Sequence, residues 1–146
     1  MPAIYVDADA CPMRAEIYAV GKRTRRIVWV VSNQWMDMPN DPMIRLEVVD
    51  NGFDAADNWI AERAGSGDVV VSDDIPLAAR CIEAGARVIT NRGDYRDADN
   101  IGEALAMREL MQYAREAGDA RGGHKPLDAS DRRHFQQRLI QLIQIA

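Results

Sequence analysis

Two short runs constrain this chain more than anything else in it. Ile27-Val28-Trp29-Val30-Val31 and the Val69-Val70-Val71 of "DVVVS" contain no polar residue at alternate positions. A strand with one wet face alternates apolar and polar residues, whereas an unbroken apolar run belongs to a strand covered on both faces. Such runs recur here with helical patterns between them. Residues 3–7 read as a buried strand, Pro12 to about Arg25 as a helix with proline in its first turn, and Ile27–Ser32 as a second strand. Residues 33–43, with Pro39, Asn40, Asp41 and Pro42, read as a loop, and Ile44–Val49 as a third strand. Asp54–Ala64 is a predicted helix stopped by Gly65, Asp68–Ser72 a fourth strand, and Ile75–Ala84 a helix ended by Gly85. Arg87–Thr90 is a fifth strand and Asp99–Ala117 a long helix before Gly118. Strand and helix in turn predict the α/β class, with a parallel sheet under helices on both faces. Residues 118–129 read as a surface connection, and Ser130 to Ile143 as an amphipathic helix with Phe135, Leu139, Leu142 and Ile143 on one side.

At 146 residues, 47% hydrophobic and 28% charged, the chain fits one globular domain over 1–146. Its last part, 119–146, is an extension carrying the packing helix. No apolar run is long enough to span a bilayer and no secretory signal is visible, so a cytoplasmic protein without membrane attachment is expected. Cys11 and Cys81 are then reduced thiols, and with His124 and His134 they lack zinc-site spacing. A net charge of −5 argues against a protein that coats nucleic acid, but not against an enzyme that acts on it through an acidic metal site. A homodimer is compatible with the sequence.

The acids collect where strands end. Asp7 and Asp9 follow the first strand, Asp73 and Asp74 the fourth, and Asp54 and Asp57 open the helix after the third, one turn apart. Asn33 and Gln34 follow the second strand, Asn91 and Arg92 the fifth. In open α/β sheets ligands bind beyond the carboxyl ends of the strands, where strand order reverses. If the first and fourth strands are neighbours, the carboxylates converge. Two such charges ~4 Å apart repel by about 1 kcal/mol in water and about 4 kcal/mol at an effective dielectric near 20. A hard divalent ion, Mg²⁺ or Mn²⁺, removes that penalty and leaves positions for water and phosphate. Each group has a plainer role as well. Asp54 and Asp57 are spaced like an N-cap and its third helical residue, Asp74 precedes Ile75-Pro76 as a cap does, and Asp9 can start a helix. Asn91-Arg92-Gly93 can be a turn, "KRTRR" (Lys22–Arg26) a cationic helix end, Cys11 a small packed residue, and the three tryptophans packing residues. Asp7 continues the strand directly and no helix begins there, so a purely structural role is harder to assign to it than to the others.

A strand followed by Asp-x-Asp resembles two families. Haloacid-dehalogenase-like phosphatases use the first aspartate as nucleophile, and "VVVSDD" with Ser32 matches part of their pattern. They also need a lysine before the late acidic pair, and Lys22 and Lys125 are both misplaced. Metal-dependent nucleases of the PIN type need neither nucleophile nor lysine, because metal-bound water attacks the phosphodiester. The segments "VDADACP" (Val6–Pro12), "NQ" (Asn33, Gln34), "GFDAADN" (Gly52–Asn58), "DIPLA" (Asp74–Ala78), "NRG" (Asn91–Gly93), "DNI" and "AMRELM" (within Asp99–Met111) resemble the bacterial YaiI/YqxD family of PIN-like proteins. These segments keep the family order along nearly the whole chain, whereas His124-Lys125 after Gly122-Gly123 depart from its pattern.

The resemblance implies a three-layer α/β fold with strand order 3-2-1-4-5 and acidic ligands at Asp7, Asp9, Asp54, Asp57 and Asp74, with Asp73 outside the motif. It points to hydrolysis of RNA phosphodiesters by water activated on Mg²⁺ or Mn²⁺. Asp7, Asp9, Asp57, Asp74 and Asn91 would form the catalytic set, while Asn33, Arg92 and Arg96 would hold the substrate. The partner expected on this reading is RNA or a nucleotide. A non-catalytic, metal-dependent RNA- or nucleotide-binding protein is the alternative.

Overall fold

The structure, a computed structural model, describes residues 2–50, 52, 54–116 and 126–146. The strands are β1 (Ala3–Asp7), β2 (Ile27–Ser32), β3 (Ile44–Val48), β4 (Val69–Val71), β5 (Arg87–Ile89) and β6 (Tyr95–Arg96). The helices are α1 (Arg14–Thr24), α2 (Ala55–Arg63), α3 (Ile75–Glu83), α4 (Ile101–Glu116) and α5 (Ala129–Ile145), with a 3₁₀ turn over Ala8–Ala10. One sheet holds all six strands in the order β3-β2-β1-β4-β5-β6. The first five pair in parallel as the sequence predicts. The sixth is the difference: after the turn at Gly93, β6 returns antiparallel on β5, pairing Ile89 with Tyr95 and Val88 with Arg96.

Alternation along the buried strands divides the core in two. Ile4 and Val6 of β1, Val28 and Val30 of β2, and Val69 and Val71 of β4 face a layer built on Ile17 and Val20 of α1 and Phe135, Leu139, Leu142 and Ile143 of α5. Ala3, Tyr5, Val31 and Val70 face the other way, against Ile60 of α2, Leu77, Ala78 and Cys81 of α3, and Ile101 of α4. Helices on both faces make the three layers. Phe135 and Leu139 are fully buried, so α5 completes the core. A reciprocal capping box, Asp128 with Asp131, starts α5, and Arg138 ties it to the β5–β6 turn by donating to the Gly93 carbonyl at 2.9 Å. Lys22 and Arg23 lie in the last turn of α1, as a cationic helix end should.

Two local features place the elements. Gly21 brings α1 so close to β2 that a Cβ there would overlap Val28 Cγ2. Trp29 and Trp59 pack together with ring centroids 5.5 Å apart, whereas Trp35 is 73% exposed just beyond β2 and does not pack as the sequence predicts. Among the described residues no helix is long and apolar enough to cross a membrane. The expectations for Gly118, Gly122, Gly123, His124 and Lys125 lie outside the described residues.

Candidate functional site

Sheet order explains why the acids meet. From β1 the chain moves outward through β2 and β3, then returns to the other side of β1 and moves outward through β4 and β5. The reversal lies between β1 and β4, and Val6 is in register with Val71. The next residue of each strand is therefore Asp7 beside Ser72. Asp7 shares the face of Ala3 and Tyr5, the side covered by α2 and α3. The N-termini of those two helices carry Asp54, Asp57 and Asp74, and their positive dipole ends partly offset the local negative charge.

Asp7 is half-buried, and its Oδ2 accepts a hydrogen bond from the Ser72 hydroxyl at 3.4 Å. Its pKa is raised, first by burial, then by Asp9 and Asp74, with the Ser72 bond opposing and Asp73 adding a smaller push. Asp9 lies in the 3₁₀ turn, where its Oδ1 accepts from the Ser32 hydroxyl at 3.0 Å. Asp57 is the most perturbed of the acids. Burial, then Asp74, Asp7 and Asp54, push its pKa up to about 6, against a weaker pull from Arg80. Asp74 caps α3, accepting from the Leu77 amide at 2.8 Å, yet it also acts on both Asp7 and Asp57. Asp73 is exposed and accepts from the Asn91 amide at 2.8 Å.

Asp54 occupies the N-cap position of α2, but makes no side-chain cap and sits at φ 64°. A non-glycine residue in that left-handed region costs of order 1 kcal/mol, and aspartate is among the side chains that tolerate it best. Asn91 is 4% exposed, and its Oδ1 accepts from the buried Cys11 thiol at 3.2 Å, which fixes it beside Asp73. Burial pushes the Cys11 thiol up to about 12, so it stays protonated and serves as a donor. Asn33 and Gln34 are exposed after β2, and Arg92 and Arg96 lie on the β5–β6 turn and on β6.

The strand ends thus bring Asp7, Asp9, Asp73 and Asp74 together, and the start of α2 adds Asp57 with Asp54 behind it. Among the described residues, no three His, Cys, Asp or Glu side chains stand close enough, as oriented, to hold a metal ion. Asp9, Asp73 and Asp74 each commit an oxygen to a neighbouring donor. The donor chemistry nonetheless fits a hard divalent ion. It is all carboxylate oxygen, and the charges that act most strongly on Asp7 are those of Asp9 and Asp74.

The sequence did not single out Ser72, whose hydroxyl bridges Asp7 and the Asp74 amide. The amide donates to it at 3.0 Å, and Ser32 plays the same part between Asp9 and the Gln34 amide at 3.1 Å. The available signal was positional: a serine closes each apolar strand just before the polar residues. A phosphatase-type lysine is not supplied by Lys22. It lies at the far end of α1, before β2 begins, and pairs with Asp41 at 3.9 Å.

The model of the uncharacterised YaiI/YqxD family matches residues 5–145. A UPF0178 protein of Ruegeria pomeroyi is 49% identical over 148 aligned positions, covering 100% of this chain and 96% of that one. One from Azorhizobium caulinodans is 53% identical, covering 90% of this chain and 83% of its own length. Another from Rhodospirillum rubrum is 47% identical over 97% of this chain and 95% of its own. No solved structure matches the chain at a significant level. Neither the family description nor these names specify a reaction.

Proposed function

The chain belongs to the YaiI/YqxD family, and from that premise we propose that it is a PIN-like nuclease that hydrolyses RNA phosphodiesters with Mg²⁺ or Mn²⁺. One observation carries the reading: Asp7 and Asp57, on different elements, are both driven toward protonation by burial and by their acidic neighbours at the sheet's switch point. Such a concentration of carboxylate is costly for a fold and useful to an enzyme that binds a cation. The resemblance to PIN-like domains supports the reaction class by analogy of fold.

Asp7 and Asp74 would hold the ion, and one of Asp9, Asp54 or Asp57 would complete the set by rotating a carboxylate toward it. When bound, the ion would lower the pKa of a water and take up charge on the phosphate. Ser72 and Ser32 each donate a hydrogen bond to one of these carboxylates, Asp7 and Asp9 respectively. Asn91, braced by Cys11, and the exposed Asn33 would orient the attacking water or a phosphate oxygen. Arg92 and Arg96 would neutralise the scissile or flanking phosphate through charged hydrogen bonds. Asp73 is secondary, since its Oδ1 is engaged by the Asn91 backbone.

The test is cleavage of a labelled single-stranded RNA by the full chain. The expected result is Mn²⁺-dependent cleavage that both EDTA and Asp7→Asn abolish. Cleavage that survives Asp7→Asn would exclude this site as its source. Metal binding with no cleavage would favour the non-catalytic binding protein.

A further inference from the structure

A groove of about 590 Å³ lies between the β5–β6 turn and one side of α4. Asp73, which also acts on Asp7, is one of its lining residues, so the groove lies beside the acidic crevice. Arg92 and Arg96 line it from the turn and β6, Arg108 lines it from α4, and Met107 and Met111 give it an apolar wall. Met107 is 53% exposed and Met111 49%, unusual values for large apolar residues on a helix whose buried contact is Ala104. The side chains of Arg96 and Arg108 make no ion pair or hydrogen bond among the described residues. Three guanidinium groups therefore gather on one groove in a chain of net charge −5, beside its densest group of carboxylates.

We propose that this groove binds an unpaired nucleotide next to the scissile phosphate, so that the substrate strand runs from the acidic crevice along α4. The proposal rests on the phosphodiesterase reading above and adds to it the strand's path and single-strandedness. Guanidinium groups match phosphate geometry and stack on bases, and the flexible thioethers of Met107 and Met111 offer a surface for a base face. A base is free to lie on such a wall only when unpaired, which selects single strands over duplex. Asp94 and Glu103 also line the groove. They suit a nucleotide better than a free phosphate, because a carboxylate accepts from base amino groups and repels a bare anion. The volume lies within the ~300–1,000 Å³ typical of small-ligand sites.

The experiment uses the full chain carrying Asp7→Asn, so that nothing is cut, and a fluorescein-labelled single-stranded octaribonucleotide in Mg²⁺ buffer. Binding is read by anisotropy across a salt series. Adding Arg108→Ala should weaken binding about tenfold, the usual effect of losing one charged hydrogen bond. It should also reduce the slope of log affinity against log salt by about one. Met107→Glu should weaken binding too, while Arg23→Ala, on exposed α1 surface, should not. All three positions are exposed, so folding is checked simply by circular dichroism. Unchanged affinity in the Arg108 and Met107 variants would overturn the proposal, as would equal binding of the matching duplex. Arg108-dependent binding in a protein whose parent cuts no RNA would keep the groove and remove the nuclease reading. Cleavage by the parent with unchanged affinity in the variants would do the reverse.

Discussion

Replacing Asp57 by asparagine should stabilise the protein in the absence of metal while removing one of the proposed ligands. Burial and three acidic neighbours raise the pKa of Asp57 from 3.8 to about 6. Two units at ~1.4 kcal/mol each give an upper bound of about 3 kcal/mol for the penalty on its ionised form. The carboxylate keeps part of its surface in water, and solvent screening brings the expected gain down to about 1–1.5 kcal/mol. Because the folded pKa lies above the unfolded one, the wild type gains stability as pH falls through about 6 toward 3.8 and carries the whole penalty above that window. Asp57→Asn should therefore exceed the wild type by about 3–5 °C in Tm at pH 7.5 in EDTA, with the difference closing near pH 4. Thermal unfolding followed by circular dichroism at the two pH values measures this. A variant less stable than the wild type at pH 7.5 would refute the claim that the acids at this crevice repel one another in the fold.

Two further predictions concern the framework. Phe135→Ala should cost about 3–5 kcal/mol in urea unfolding, because Phe135 is fully buried and anchors α5 on the sheet; a loss below 1 kcal/mol would make α5 peripheral. Gly21→Ala should cost about 1–3 kcal/mol despite alanine's better helix propensity, since its methyl would overlap Val28 and force α1 away from β2.

What could be read from the sequence was whatever repeats or fills an interior. The runs at Ile27–Val31 and Val69–Val71 announced strands covered on both faces, and alternation with helices set the class. The two-residue β6 left no such trace, because Tyr95 and Arg96 form too short an edge to carry a pattern. At the site, the positions of Asp7 and Asp74 after apolar runs were legible, since charge at the end of a buried strand needs a reason. Ser32 stood out only as a phosphatase-like feature, and neither its bond to Asp9 nor that of Ser72 to Asp7 was legible, since a hydroxyl beside a carboxylate is common in any sequence. Arg108 was equally hidden. Only the packing of α4 against the fold decides which side of that helix borders the groove. The left-handed backbone at Asp54 is likewise a product of the tertiary path into α2 and has no local signature.

The central claim is that Asp7 at the end of β1 and Asp74 at the start of α3 share a divalent ion with a further carboxylate, from the turn after β1 or the start of α2. A crystal structure grown with Mn²⁺, examined at the manganese absorption edge, tests it most directly. The account predicts an anomalous peak bonded to Asp7 and Asp74 and to at least one of Asp9, Asp54 or Asp57, with those carboxylates turned inward from their present orientations. A manganese-soaked crystal with no peak at this crevice, and the same carboxylates unmoved, would contradict it.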